Sequence, residues 1–165
     1  MMTLEPKAGA ARVGDGNRPG AATVHLQKFC VGAERVEDLE DWQRRLMQRR
    51  RAEGLDPRPV HVTRSSPKRA AEVLNGGSLY WVFKGLILAR QRIEALEPDE
   101  GPDGVTRCRI VLDPAIHRTR AVARRPFQGW RYLEAKDAPA DIAAGDPLAD
   151  LPEELRRALS EVGVT

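Results

Sequence analysis

Between Ser78 and Phe83 the chain reads SLYWVF, six residues without a charge. Side chains alternate between the two faces of a strand, so this one is apolar on both. It has to be a central strand, buried on either side. At 165 residues the chain is the size of one ordinary domain, which predicts a single hydrophobic core around that strand.

The segments around it carry their own signatures. TVHLQKFCV (23–31) alternates and is rich in β-branched and aromatic residues, which predicts a strand. Val36, Leu39, Trp42 and Leu46 then recur at helical spacing, with acids first and Arg49, Arg50 and Arg51 last, as the helix dipole favours. PVHVTR (59–64) is a short strand, and SSPKRAAEVLNGG reads as a helix capped by Ser66 and stopped at Asn75–Gly76. LILARQRIEALEP and GVTRCRIVLDP flank the turn DEGPDG and form a hairpin. With that turn centred near Gly101, Arg92 lies beside Arg109 and Glu94 beside Arg107, giving an arginine-lined face. The fold expected is α+β, a small curved mixed sheet or partly open β-barrel flanked by two helices, over residues 23–141. Residues 1–22 read as a flexible leader, either a native extension or a misplaced start, and 142–165 as an acidic tail with a short helix, LPEELRRAL.

Charge is unevenly placed. The net count is +1 over residues 1–22, +7 over 23–133 and −5 over 134–165. A basic middle attracts nucleic acid or a phosphorylated small molecule. No apolar run approaches the roughly 20 residues that span a bilayer, and the N-terminus lacks the apolar stretch of a signal peptide, so a cytoplasmic protein away from membranes is expected. Cys30 and Cys108 read as buried free thiols. Neither cysteines nor histidines show metal-ligand spacing, and no cofactor motif occurs.

Three elements carry candidate chemistry. RRPFQGWRYL (124–133) packs three arginines (Arg124, Arg125, Arg131) and three rings into ten positions. Trp130, with Tyr132 or Tyr80, can stack bases while guanidinium groups meet phosphates. Alternatively Phe127, Trp130 and Tyr132 fill the core and the arginines form its rim. Pro126 and Gly129 in either case break any regular strand before Trp130. At RSSPKRA, Ser66, Lys68 and Arg69 at a helix start can receive a phosphate, or form an ordinary capped turn. The hairpin face of Arg90, Arg92, Arg107 and Arg109 needs counter-charge, either from Glu94, Asp113 and the acidic tail or from an external polyanion.

GGSLYWVFKG, CRIVLDP and RRPFQGWRYL, after a start of the type VHLQKFCVGAERVEDLEDWQ, resemble a family of uncharacterised alphaproteobacterial proteins catalogued as domain of unknown function 1489, over Thr23 to Asp141. A weaker resemblance is to the ASCH branch of PUA-like domains, where a short helix ending in glycine precedes a strand at the mouth of a small barrel. That resemblance implies binding of RNA or modified nucleosides. It also implies, in some members, a hydrolase with a lysine and a threonine after the glycine turn, positions held here by Gly77, Ser78 and Leu79. The function expected is nucleic-acid binding, RNA above all, in a basic cleft with aromatic rings. The alternatives are an enzyme on a nucleotide or modified nucleoside, with Lys68 or Lys84 and Ser78, or a module whose basic face meets an acidic protein.

Overall fold

The structure, a computed structural model, describes residues 11–12 and 22–142; the rest of the leader and the helix expected in the tail lie outside them. Along the chain come β1 (Ala11–Arg12), β2 (Val24–Phe29), α1 (Val36–Ala52), β3 (Val60–Thr63), α2 (Ala70–Val73), β4 (Ser78–Phe83), β5 (Leu86–Glu100), β6 (Thr106–Leu112), β7 (His117–Ala123) and β8 (Trp130–Glu134). SLYWVF is β4. All six of its residues are buried, between β2 on the parallel side and β5 on the antiparallel side.

The two faces of β4 enter different apolar clusters. Leu79, Trp81 and Phe83 join Leu26, Leu39, Val73 and Ile110. Tyr80 and Val82 join Ile87 and Leu133, with Phe29 and Phe127 packed against them. The single core expected from chain length is thus two cores, divided by the sheet. Each large side chain fully withdrawn from water on either face contributes about 2 kcal/mol.

β5 is the spine of an open mixed sheet. Its first half carries β4 on one edge and β7 on the other, and its second half carries β1 and β6. The pairing with β7 is irregular between Ile87 and Ala89, and the register shift at Ile93/Ala95, where β5 carries one residue more than β6, is a bulge, which bends a strand and sharpens its twist. β2 and β8 extend the sheet beyond β4, and β3 extends it beyond β6. The outer edge of β7 is covered by the chain returning from β8: Arg120 N–H donates to the Ala140 carbonyl and Ile142 N–H to that of Arg118, both at 2.9 Å.

α1 starts where the sequence predicts. The Asp38 carboxylate reaches back to accept from the backbone N–H groups of Glu34 and Arg35, each at 3.1 Å. Its buried face, however, is Val36, Leu39 and Gln43, whereas Trp42, expected in the apolar stripe, is 53% exposed. The reason is a buried amide pair. Gln43 and Gln91 donate to one another at 3.0 and 2.8 Å, and the Trp81 indole donates to Gln91 Oε1 at 2.9 Å. Satisfying these groups turns α1 toward Gln43, since a buried amide without partners costs about 1–3 kcal/mol.

Two other expectations are corrected. The hairpin turn centres on Asp103 and Gly104 (φ +78°) rather than on Gly101, so Glu97 faces Arg109 and Asp99 faces Arg107. Arg92 lies level with Asp113 instead of beside Arg109; its backbone carbonyl accepts from Asp113 N–H at 2.9 Å. The helix expected from Ser66 is the single turn α2, and Ser66 caps nothing, because the Arg69 N–H before that turn donates to the Tyr132 hydroxyl at 3.1 Å. Beyond α2, Gly77 is wedged into the fold: its N–H donates to the Val73 carbonyl at 2.8 Å, and a Cβ there would run into the backbone oxygens of Val73 and Val24.

Candidate functional site

The antiparallel pairing of β2 with β8 sets Lys28 opposite Trp130 and Leu26 opposite Tyr132. Gly129, at φ +70° with open space around it, turns the irregular segment after Pro126 into β8. The indole N–H of Trp130 donates to the Ser65 carbonyl at 2.9 Å, and the Thr63 hydroxyl donates to that same oxygen at 2.9 Å. These bonds tie the loop after β3 to the start of β8. Between them opens a pocket of about 790 Å³ lined by Lys28, Arg64, Ser66, Lys68, Gln128 and Trp130, with Thr63, Ser65, Gly129 and Tyr132 completing its wall.

The aromatic motif therefore does two jobs. Trp130 and Tyr132 meet edge to face, with ring centres 4.9 Å apart, and pack on the large core cluster while still lining the pocket. Phe127 lies edge-on to Phe29 over the smaller cluster, with the Arg131 guanidinium 5.1 Å from its ring. Tyr80 is 5% exposed, inside that cluster.

Positive charge in the pocket is left uncompensated. No carboxylate lines it, and among the described residues Lys28, Arg64 and Lys68 have no ion-pair partner. Three of the four hairpin arginines, Arg90, Arg107 and Arg109, are neutralised from within, whereas Arg92 has no ion-pair partner among the described residues and its Nε is buried without a hydrogen-bond partner. Arg107 holds Asp103 at 2.8 Å, Arg109 lies 3.7 Å from Glu97, and Arg90 grips both oxygens of Asp141 at 2.7 and 2.8 Å. Arg69 is shared between Glu72 and Glu134. Arg124 donates to the Gln27 amide at 2.9 Å, Arg92 is half-buried, and Arg125 is exposed. Of the residues singled out in the sequence, the structure thus gathers Ser66, Lys68, Trp130 and Tyr132, and disperses the others.

Lys28 and Arg64 are the additions. The signal for Lys28 is that it closes an otherwise apolar strand face, Val24 and Leu26, which means that the face opens to solvent there. Arg64 opens the basic string RSSPKRA, and that is its local signal.

The groups that would serve hydrolysis are otherwise engaged. The Ser78 hydroxyl is 1% exposed and accepts from Arg90 at 2.9 Å, and His25 Nδ1 accepts from the Ser78 backbone N–H at 3.0 Å. Lys84 pairs with Glu34 at 3.2 Å. Cys30, which is half-buried rather than buried, has its thiol pushed up to about 12 by burial, so it does not supply a thiolate near neutral pH.

His61, edge-on to Trp81 at 5.5 Å, is held down to about 4 by burial, with the charge of Lys28 adding to the effect. A histidine lowered on folding leaves the unfolded chain binding the extra proton, so its stabilisation is complete above the ordinary value of 6.5 and is lost as pH falls toward 4. Between about pH 7 and about pH 4 the wild type should lose roughly 2 kcal/mol more stability than His61→Phe. Urea unfolding of both proteins across that range checks this; parallel losses would remove His61 from the account.

The family described as a protein of unknown function, DUF1489, matches residues 26–165. The chain belongs to that family. The DUF1489 match begins inside β2 and takes in both walls of the pocket, from Lys28 through Arg64–Lys68 to Gln128–Tyr132. It also runs through the acidic tail, past the Asp141 limit of the resemblance read from the sequence. No curated protein and no solved structure matches the chain. Among the described residues no helix is long and apolar enough to cross a membrane.

Proposed function

We propose that this protein binds single-stranded RNA, taking one nucleotide into the pocket between Trp130 and the Arg64–Lys68 loop. The observation that carries the reading is the meeting of three unpaired cations, Lys28, Arg64 and Lys68, with two aromatic rings in a pocket that no carboxylate lines. The volume of about 790 Å³ suits a nucleotide. Cations bind phosphate without regard to sequence, rings stack any base, and the Gln128 amide can donate to and accept from a base edge. The phosphate path is shifted by the internal ion pairs: it leaves the hairpin and follows Lys28, Arg64 and Lys68. The ASCH-like resemblance fits this reading in one respect, since the loop that leads into α2 supplies Ser66 and Lys68 to the pocket. Catalysis on the bound nucleotide would draw on the pocket lysines, Lys68 or Lys28, rather than on Ser78, which is buried against Arg90.

The test is binding of labelled single-stranded RNA, double-stranded RNA and single-stranded DNA across a salt series, with wild type beside Trp130→Ala. Single-stranded RNA should bind most tightly and weaken steeply with salt, and loss of the ring should weaken it about tenfold, the equivalent of one stacked base. No binding of any of the three at low salt would defeat the proposal.

A further inference from the structure

On the other side of Lys28 lies a second cavity, of about 1020 Å³, framed by the turn from Cys30 to Glu34, the first turns of α1, His61 and Trp81. It holds Trp42, the residue whose helical spacing assigns it to the core and which the structure leaves 53% exposed. Val31, at its rim, is 90% exposed. A large ring kept half in water on a well-formed helix, beside a cavity, is a surface available to a flat ligand.

The electrostatics of the two cavities differ in a way that divides a nucleotide's parts. Around the second, every carboxylate is already engaged. Glu34 pairs with Lys84, Asp38 accepts from the backbone N–H groups at the start of α1, and Asp41 is bound by Arg44. Its lining carries as many cations (Lys28, Arg35 and Arg45) as carboxylates, so that cavity is close to neutral as well as aromatic, which suits a base, whereas the first is cationic and suits phosphate and base together. Lys28 lines both. A phosphate on Lys28 would therefore lie between the two cavities.

Resting on the RNA reading of the first pocket, we infer that the site takes two successive nucleotides: one base in the Trp130 pocket, the next on Trp42, and the linking phosphate at Lys28. The chemical class recognised is then a dinucleotide step of a single strand, and a mononucleotide fills only half of the site. Each cavity is of the size that holds one small ligand.

The experiment is calorimetric titration of a 5′-mononucleotide, the corresponding 5′-phosphorylated dinucleotide and a single-stranded decamer, in adenylate and uridylate series, into wild type, Trp42→Ala, Trp42→Phe and Trp130→Ala. The dinucleotide should bind at least about tenfold more tightly than the mononucleotide, the gain of one further stacked base. Trp42→Ala should abolish that gain and leave the mononucleotide unchanged, Trp42→Phe should keep most of it, and Trp130→Ala should weaken both ligands. Equal affinity of wild type for the two ligands overturns the inference while leaving the RNA reading intact. So does a Trp42→Ala variant that treats both ligands as wild type does, or one that weakens both alike, as a single nucleotide lying across the two cavities would require. If even the decamer fails to bind wild type, the RNA reading falls and this inference with it.

Discussion

Alanine at Gly77 is expected to destabilise the protein by about 3 kcal/mol or more. The added methyl would meet two backbone oxygens, Val73 O from α2 and Val24 O from β2, far inside contact distance. Neither can give way cheaply. Val73 O accepts the Gly77 N–H, Val24 is fully buried, and the Gly77 carbonyl holds the Ile93 N–H of β5 at 3.0 Å. The comparison is Gly129→Ala, where the space is open and the cost is the left-handed backbone alone, about 1 kcal/mol. Urea unfolding of the two variants reads the difference directly. A Gly77→Ala protein as stable as Gly129→Ala would mean that α2 and β2 do not close on β4 as described.

The largest effect on binding is expected from replacing Lys28, Arg64 and Lys68 together by glutamine. Each phosphate contact on a single strand contributes about 0.7 to the slope of log affinity against log salt, so losing three should lower that slope by about 2. Affinity near physiological salt should fall by more than about tenfold, a conservative figure for three charge-assisted contacts. The paired Arg107→Gln and Arg109→Gln variant should alter neither quantity, because Asp103 and Glu97 already answer those charges. Should the hairpin pair prove the more damaging, the ligand would have to run over β5 and β6, and the pocket would lose its claim to the phosphates.

The local features of this fold are written locally. Alternation locates β2, the charge gradient locates α1, and Pro126 with Gly129 announces irregular backbone before Trp130; the structure has all three. What escapes a linear reading is whatever depends on partners distant in sequence. Periodicity assigns Trp42 to the core because it cannot know that Gln91, on β5, requires Gln43 there. Turn residues recur throughout DEGPDG, so the hairpin register is underdetermined until Gly104 takes the left-handed position. Half of the site was legible for the same reason. Trp130, Tyr132, Ser66 and Lys68 sit in conspicuous strings, whereas Lys28 becomes a site residue only through the pairing of β2 with a strand about a hundred residues later.

The three residues that return along β7 have a consequence for the protein's behaviour in concentrated solution. Ala140 and Ile142 engage backbone groups that β7 would otherwise present to its surroundings, and Asp141 locks the segment to Arg90. An unpaired strand edge is a template for another chain. The segment is therefore a built-in end cap on sheet growth, and a chain ending shortly after β8 would keep both apolar cores yet expose a surface on which copies of itself could aggregate.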